Sequence, residues 1–192
     1  MEKPRTPQIL TFKDAAAWEE WLAGHHTLHE GVMIQMAKKD SGIPSVTHLE
    51  ALDVALCYGW IDGIRRGLDE TYFLQKFTPR RPRSLWSTIN IGKVEALMAA
   101  GRMKEPGLAA MKAAKADGRW AAAYSGQKTA TVPPELAAAL QANKKAKAFY
   151  DTLDKANRYA AIFRVATART PEIRKSRLQK IIAQLEAGQK FH

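Results

Sequence analysis

Hydrophobic positions recur along this chain with two different periods. Trp18, Trp21 and Leu22 are spaced by three and one, so they share one side of a helix. Thr11 can cap that helix and Gly24 can stop it. Between Gly31 and Lys38 the period changes to two, with Val32, Ile34 and Met36 alternating with Met33 and Gln35, as in a strand. Asp40-Ser41-Gly42 marks a turn. Thr47 and Glu50 have capping-box spacing and open a second helix with Leu49, Leu52, Ala55 and Leu56 as its apolar stripe. It ends near Gly59. Ile61–Arg66 and Thr71–Phe77 predict two hairpin strands joined by Gly67-Leu68-Asp69-Glu70. Pro79 and Pro82 end the second.

Beyond Ser84 the helical period takes over. Ser87 can cap a helix carrying Ile91, Val94, Leu97 and Met98, closed by Gly101. Pro106 can start another, with Leu108 and Met111 inside and Gly118 as its stop. Residues 121–133 read as a loop. Four further helices follow: Pro134–Gln141, one capped by Asn143 with Phe149, Tyr150 and Leu153, one capped by Asp154 with Tyr159, Ile162 and Phe163, and one opened by Thr170-Pro171-Glu172 with Leu178, Ile181, Ile182 and Leu185. The expected fold is α+β: a small antiparallel sheet with helices in the N-terminal part, then a helical C-terminal part. The expected domains are 1–120, holding Trp60–Asn90, and a C-terminal helical region at 134–192. No internal repeat is visible.

Charge changes this picture in one respect. The net charge is +11, and it is uneven. Residues 1–57 hold 5 Lys/Arg against 8 Asp/Glu, residues 58–140 hold 13 against 7, and residues 141–192 hold 12 against 4. A positive field after the first third favours anionic partners without specifying one. The single cysteine, Cys57, excludes an internal disulfide and a four-cysteine zinc site. Met1–Leu10 has no long apolar core, so no signal peptide is expected. No apolar run approaches the roughly 20 residues that span a bilayer, so membrane insertion is not expected. A reducing cytoplasm is the simplest compartment.

Candidate chemistry concentrates between Trp60 and Asn90. The first arm is Trp60-Ile61-Asp62-Gly63-Ile64-Arg65-Arg66. On a regular strand Asp62 shares a face with Ile64 and not with Arg65. Asp62 is the best candidate acid or base, although no reaction follows from the sequence. A buried Trp60 with Asp62 in a turn or ion pair is the plain structural alternative. The second arm is Arg80-Arg81-Pro82-Arg83, running through Trp86 to a helix start at Ser87. Guanidinium forks suit phosphate or carboxylate, and free N–H groups at a helix start add anion affinity. Trp86 can stack on a base or sugar. The plain alternative is a solvated basic loop.

Elsewhere the structural reading is favoured. Cys57 sits on an apolar helix side, as a structural thiol does. His25 and His29 have i,i+4 spacing but lack partner ligands, so no metal and no cofactor are expected. Arg158, Arg164, Arg169, Arg174, Lys175, Arg177 and Lys180 fit the wet face of amphipathic helices better than a nucleic-acid surface. No P-loop, dinucleotide-binding glycine motif or nucleophile elbow occurs.

The two arms also carry a resemblance. Ala55-Leu56-Cys57-Tyr58-Gly59-Trp60-Ile61-Asp62-Gly63 resembles an ALCFGWIDG signature, and Phe77-Thr78-Pro79-Arg80-Arg81-Pro82-Arg83-Ser84-Leu85-Trp86-Ser87 resembles an FTPRRPKSxWS companion. Both are similar to the YdeI/OmpD-associated (OmdA) family of bacterial proteins. Tyr58 replaces phenylalanine, Ile64 stands where a polar residue is common, and Thr170 stands where arginine is expected. The resemblance implies an association with bacteriocin protection and an outer-membrane porin. It implies no catalytic residue.

The leading expectation is therefore a cytoplasmic protein that binds a small phosphate- or nucleotide-bearing anion. Arg80, Arg81 and Arg83 hold the anion with Arg65 or Arg66. Trp60, Tyr72 and Trp86 wall the pocket, with Asp62, Ser87 and Asn90 beside it. Nucleic-acid binding through the basic C-terminal two-thirds is the first alternative, and a protein-interaction module in stress resistance is the second. The sequence sets no oligomeric state.

Overall fold

The computed structural model describes residues 8–192. Residues 1–7, on which most of the signal-peptide reading rests, lie outside the described residues. The chain divides into two compact units. The first comprises the residues up to Leu85 together with Asn90–Ala121, and the second comprises Trp86–Ile89 with Ala122–His192.

The first unit begins β1 (Ile9–Thr11), α1 (Ala15–His25), β2 (Val32–Ala37), α2 (His48–Cys57), β3 (Trp60–Gly67) and β4 (Tyr72–Pro79). It ends with most of α3 (Thr88–Ala99) and with α4 (Glu105–Ala116). The four strands form one sheet in the order β1-β2-β4-β3. β1 runs parallel to β2, while β2–β4 and β4–β3 are antiparallel. A three-residue strand is too short to show a period. Thr11, expected as a helix cap, therefore closes β1 instead, and the cap of α1 is Asp14, which accepts from the Ala17 amide at 2.8 Å.

The capping box of α2 forms as expected. The Glu50 amide donates to Thr47 Oγ1 at 3.3 Å, and the Thr47 amide donates to Glu50 Oε2 at 2.9 Å. The buried side of α2 is Ala51, Leu52, Val54, Ala55, Leu56 and Cys57. Leu49, expected in the buried stripe, is 64% exposed. Its spacing of three and seven from Leu52 and Leu56 puts Leu49 on the same side, but that side is left uncovered in the first helical turn.

The core of this unit is built around Trp18, Trp60 and Phe77, each fully buried. The Trp18 ring lies 6.2 Å from that of Trp60 and 5.8 Å from that of Phe77. Burying side chains of this kind contributes roughly 1.5–3 kcal/mol each. Buried indoles also need hydrogen-bond partners. Trp18 Nε1 donates to the Ala51 carbonyl at 3.1 Å, and Trp60 Nε1 donates to the His26 carbonyl at 2.8 Å.

The second unit is helical: α5 (Pro134–Ala142), α6 (Lys144–Thr152), α7 (Lys155–Ala166) and α8 (Pro171–Glu186). Asn143, Asp154 and Thr170 cap α6, α7 and α8 through their side chains, as their spacing predicts. Leu136, Leu140, Tyr150, Val165, Ile181 and Leu185 form its core. Buried Asn157 ties down the C-terminus, accepting from the Phe191 amide at 2.8 Å. The chain is thus α+β, with strands in the N-terminal half and helices toward the C-terminus. No helix among the described residues is long and apolar enough to cross a membrane.

Candidate functional site

Sheet geometry separates the residues that the sequence places in one pocket. Paired residues on neighbouring strands point to the same side, and that side alternates along each strand. Trp60 pairs with Pro79, and Asp62 with Phe77. Beyond Asp62 the register shifts, so Gly63 and Ile64 together oppose Lys76, and Arg65 pairs with Gln75. This β-bulge rephases the strand. Asp62 and Arg65, expected on opposite faces, share the face that carries Phe77, Gln75 and Phe73. Arg66 pairs with Leu74 and shares the other face with Tyr72. A regular-strand reading cannot anticipate the extra residue.

Asp62 meets a histidine. His48, in the first turn of α2, has Nε2 3.0 Å from Asp62 Oδ2, and the two side chains are 25% and 29% exposed. Beyond the bulge, Gln75 is 2% exposed and uses both ends of its amide. Its Nε2 donates to the Gly63 carbonyl at 2.9 Å, and its Oε1 accepts from Arg65 Nε at 3.1 Å. The Arg65 guanidinium also lies over the Phe73 ring, 4.4 Å from its centre. Sequence reasoning passed over His48 and Gln75. A histidine just inside a capping box and a glutamine within an apolar strand give no sign of a partner 14 or 12 residues away.

Much of the first signature run is architectural. Trp60 has no exposed surface, so it anchors β3 in the core and does not wall a cleft. Gly59 has a φ of 73°, in the left-handed region that glycine favours, and a Cβ there would lie 2.8 Å from the Pro106 carbonyl oxygen. Its freedom lets α4 approach closely. Cys57 is buried, and burial pushes its thiol up, with the Arg102 cation as the largest opposing influence. This is the environment of a structural thiol.

The second run forms a braced turn. The Arg80 amide donates to Gly59 O at 2.9 Å, and Arg80 Nη1 donates to Leu85 O at 3.1 Å. The Arg81 amide donates to Ser84 Oγ at 3.0 Å. From the turn that follows α4, Arg119 Nη1 donates to Ser84 O at 3.0 Å, while its Nε pairs with Asp117 at 2.8 Å. Arg81, Pro82 and Arg83 form the exposed apex of this turn. Trp86 and Ser87 group with the second unit, where Tyr124 pairs with Ser87 in an isolated bridge and its amide donates to Trp86 O at 3.0 Å. Asn90, on α3, is half-buried in the first unit.

In the second unit, several basic side chains turn to internal partners. Arg158 Nη2 donates to Asp151 O at 2.7 Å, Arg164 lies over the Phe191 ring, Arg174 pairs with Glu135 at 2.8 Å, and Arg177 Nη1 donates to Arg164 O at 2.8 Å. Cavities among the described residues of this unit include these two. One of about 680 Å³ is bordered by α6, α7 and the loop before α5, and one of about 190 Å³ is lined by Tyr124, Ser125, Pro133 and Phe163 among others.

These features define an α+β unit followed by a helical one. Residues 10–110, just over half of the chain, match the model of a domain of unknown function, DUF8412, and the chain belongs to that family. Residues 129–188 match a second model, described as bacteriocin-protection, YdeI or OmpD-associated. No curated protein and no solved structure matches the chain. The YdeI/OmpD-associated match confirms the family resemblance, but on α5–α8. Both signature runs lie instead inside the first matched segment.

Proposed function

We propose that the protein binds a small anion, phosphate- or nucleotide-bearing, at the Arg80–Ser84 turn. The observation that carries this reading is the bracing of the turn. Arg80, Ser84 and Arg119 fix its backbone, and Arg81 and Arg83 stand at its exposed apex. A braced backbone that carries guanidinium groups needs less ordering on binding than a flexible basic loop. Arg65, Arg66 and Tyr72 are not needed for this reading, because the bulged strand divides them between two faces. The free, buried Cys57 thiol suits action in a reducing cytoplasm. The YdeI/OmpD-associated match supports a role in bacteriocin or envelope stress.

Titration of the full chain with ATP and with inorganic phosphate tests the reading. Arg81→Ala/Arg83→Ala should weaken binding about tenfold or more, as loss of charge-assisted contacts does. Unchanged affinity in that variant rejects the site. Binding of duplex DNA with a steep salt slope, retained in the variant, would favour the nucleic-acid alternative.

A further inference from the structure

The larger cavity of the second unit does not involve the Arg80–Ser84 turn. Its volume of about 680 Å³ lies within the range of small-molecule sites. Its lining combines two chemistries. Lys128, Lys155 and Arg158 supply three cations, and Ala130, Val132 and Ile162 supply an apolar wall, with Tyr150 and Tyr159 between them. No acidic side chain among the described residues lines it. The nearest acids in sequence are engaged elsewhere. The Asp151 carboxylate pairs with Lys147 at 2.6 Å, and the Asp154 carboxylate caps α7 by accepting from the Asn157 amide at 2.8 Å.

The two tyrosines differ in a telling way. The Tyr159 hydroxyl donates to the Ser125 carbonyl at 3.0 Å. Tyr150 is 6% exposed, and its buried hydroxyl has no hydrogen-bond partner among the described residues. Buried hydroxyls nearly always have one, so an orphan beside a cavity calls for an acceptor from outside the chain. The Arg158 guanidinium lies 5.7 Å from the centre of the Tyr150 ring, and its bond to the Asp151 carbonyl holds it there. A fixed cation, an aromatic wall and an unmet donor thus converge on one space.

We infer that this cavity is a binding site for a small amphipathic anion, a carboxylate or phosphate monoester carrying an aromatic or short aliphatic body. The anionic head meets Lys128, Lys155 and Arg158. The body lies against Ile162, Val132 and the tyrosine rings, and an acceptor on the ligand takes the Tyr150 proton. Binding is reversible and breaks no covalent bond. Seven of the nine lining residues, all but Gln127 and Lys128, fall within the segment that matches the YdeI/OmpD-associated model. Most of the site therefore lies within that segment, with Lys128 added from just before it.

The test uses the full chain with anilinonaphthalene sulfonate as a fluorescent amphipathic anion and phenyl phosphate as its competitor. Phenyl phosphate should displace the dye at concentrations about tenfold below those needed by inorganic phosphate, because its ring adds apolar burial. Lys128→Ala/Lys155→Ala should weaken phenyl phosphate binding about fivefold or more, since both lysines are exposed and carry head-group charge. Tyr150→Phe should weaken it about threefold while leaving the melting temperature of the ligand-free protein unchanged or higher, because the deleted hydroxyl had no partner. Arg81→Ala/Arg83→Ala should leave dye displacement intact, which separates this site from the turn. Equal competition by inorganic phosphate, or unaltered affinity in the double lysine variant, overturns the inference.

Discussion

His48 Nε2 lies 3.0 Å from Asp62 Oδ2, fastening the first turn of α2 to the edge strand β3. The contact is only partly exposed, so water competes with this hydrogen bond less than at an open surface site. A double-mutant cycle with His48→Ala and Asp62→Asn should give a coupling of about 0.5–1 kcal/mol in urea unfolding. A coupling indistinguishable from zero would mean that the contact adds nothing to stability.

Gln75 holds the bulge by bonding to the Gly63 carbonyl and to Arg65. Gln75→Leu keeps the volume and removes both bonds. The expected loss is about 1–3 kcal/mol, seen as a lower urea midpoint at unchanged slope. Hydrogen exchange in β3 should accelerate more than in β2. A variant as stable as the parent would show that the bulge holds without this side chain.

Two glycines should respond to alanine with opposite signs. At Gly107 a Cβ would run into the backbone of α2, meeting the Cys57 carbonyl and lying 2.8 Å from the Leu56 carbonyl oxygen. Gly107→Ala should destabilise by about 2–3 kcal/mol, because neither carbonyl can yield without moving a helix. At Gly24, inside α1, a Cβ meets nothing within 4 Å. Gly24→Ala should stabilise by about 0.5–1 kcal/mol by favouring the helix over the unfolded chain. Thermal melts of the two variants, moving in the same direction, would contradict this account.

The acid limb of stability follows from helix caps. Asp154 is held below its ordinary value by its hydrogen bonds from Asn157, and Glu172 by its bond with Thr170. Glu50 is lowered by the capping box with Thr47. A carboxylate depressed in the folded state stabilises above its unfolded value, and that contribution disappears as pH falls through the folded value. Urea midpoints should therefore decline as pH is lowered from above 4.5 to below 3.8, the ordinary values of these groups. Asp154→Ser keeps a capping oxygen but cannot titrate, so its decline over that range should be shallower. An identical decline would remove Asp154 from the cause.

Local signals were legible where the chemistry is local. Asn143, Asp154 and Thr170 announce their helices because each cap bonds an amide three residues on. The hairpin strands were readable from their alternation. What escaped depends on distant partners or on a single extra residue. β1 gains its identity only from pairing with Met33–Gln35, and Asp62 finds its partner in a helix. The cavity beside Tyr150 arises where α6, α7 and the preceding loop converge, so no contiguous motif marks it. The run of Arg80, Arg81 and Arg83 is visible in the sequence, but its folding into a turn braced by Arg119 depends on a residue 35 positions from Ser84.

The bulge at Gly63 and Ile64 has one more consequence, for the behaviour of the protein at high concentration. β1 and β3 are the two borders of the sheet. Each border strand offers unsatisfied amides to any passing chain in extended form. β1 is only three residues long, too short to template a stranger. β3 is eight residues long, but its irregularity and its adjacent Arg65 and Arg66 break the straight, uncharged rail that an incoming strand needs. The same misregistration that sorts side chains between faces thus guards the longer border against fibril-like stacking.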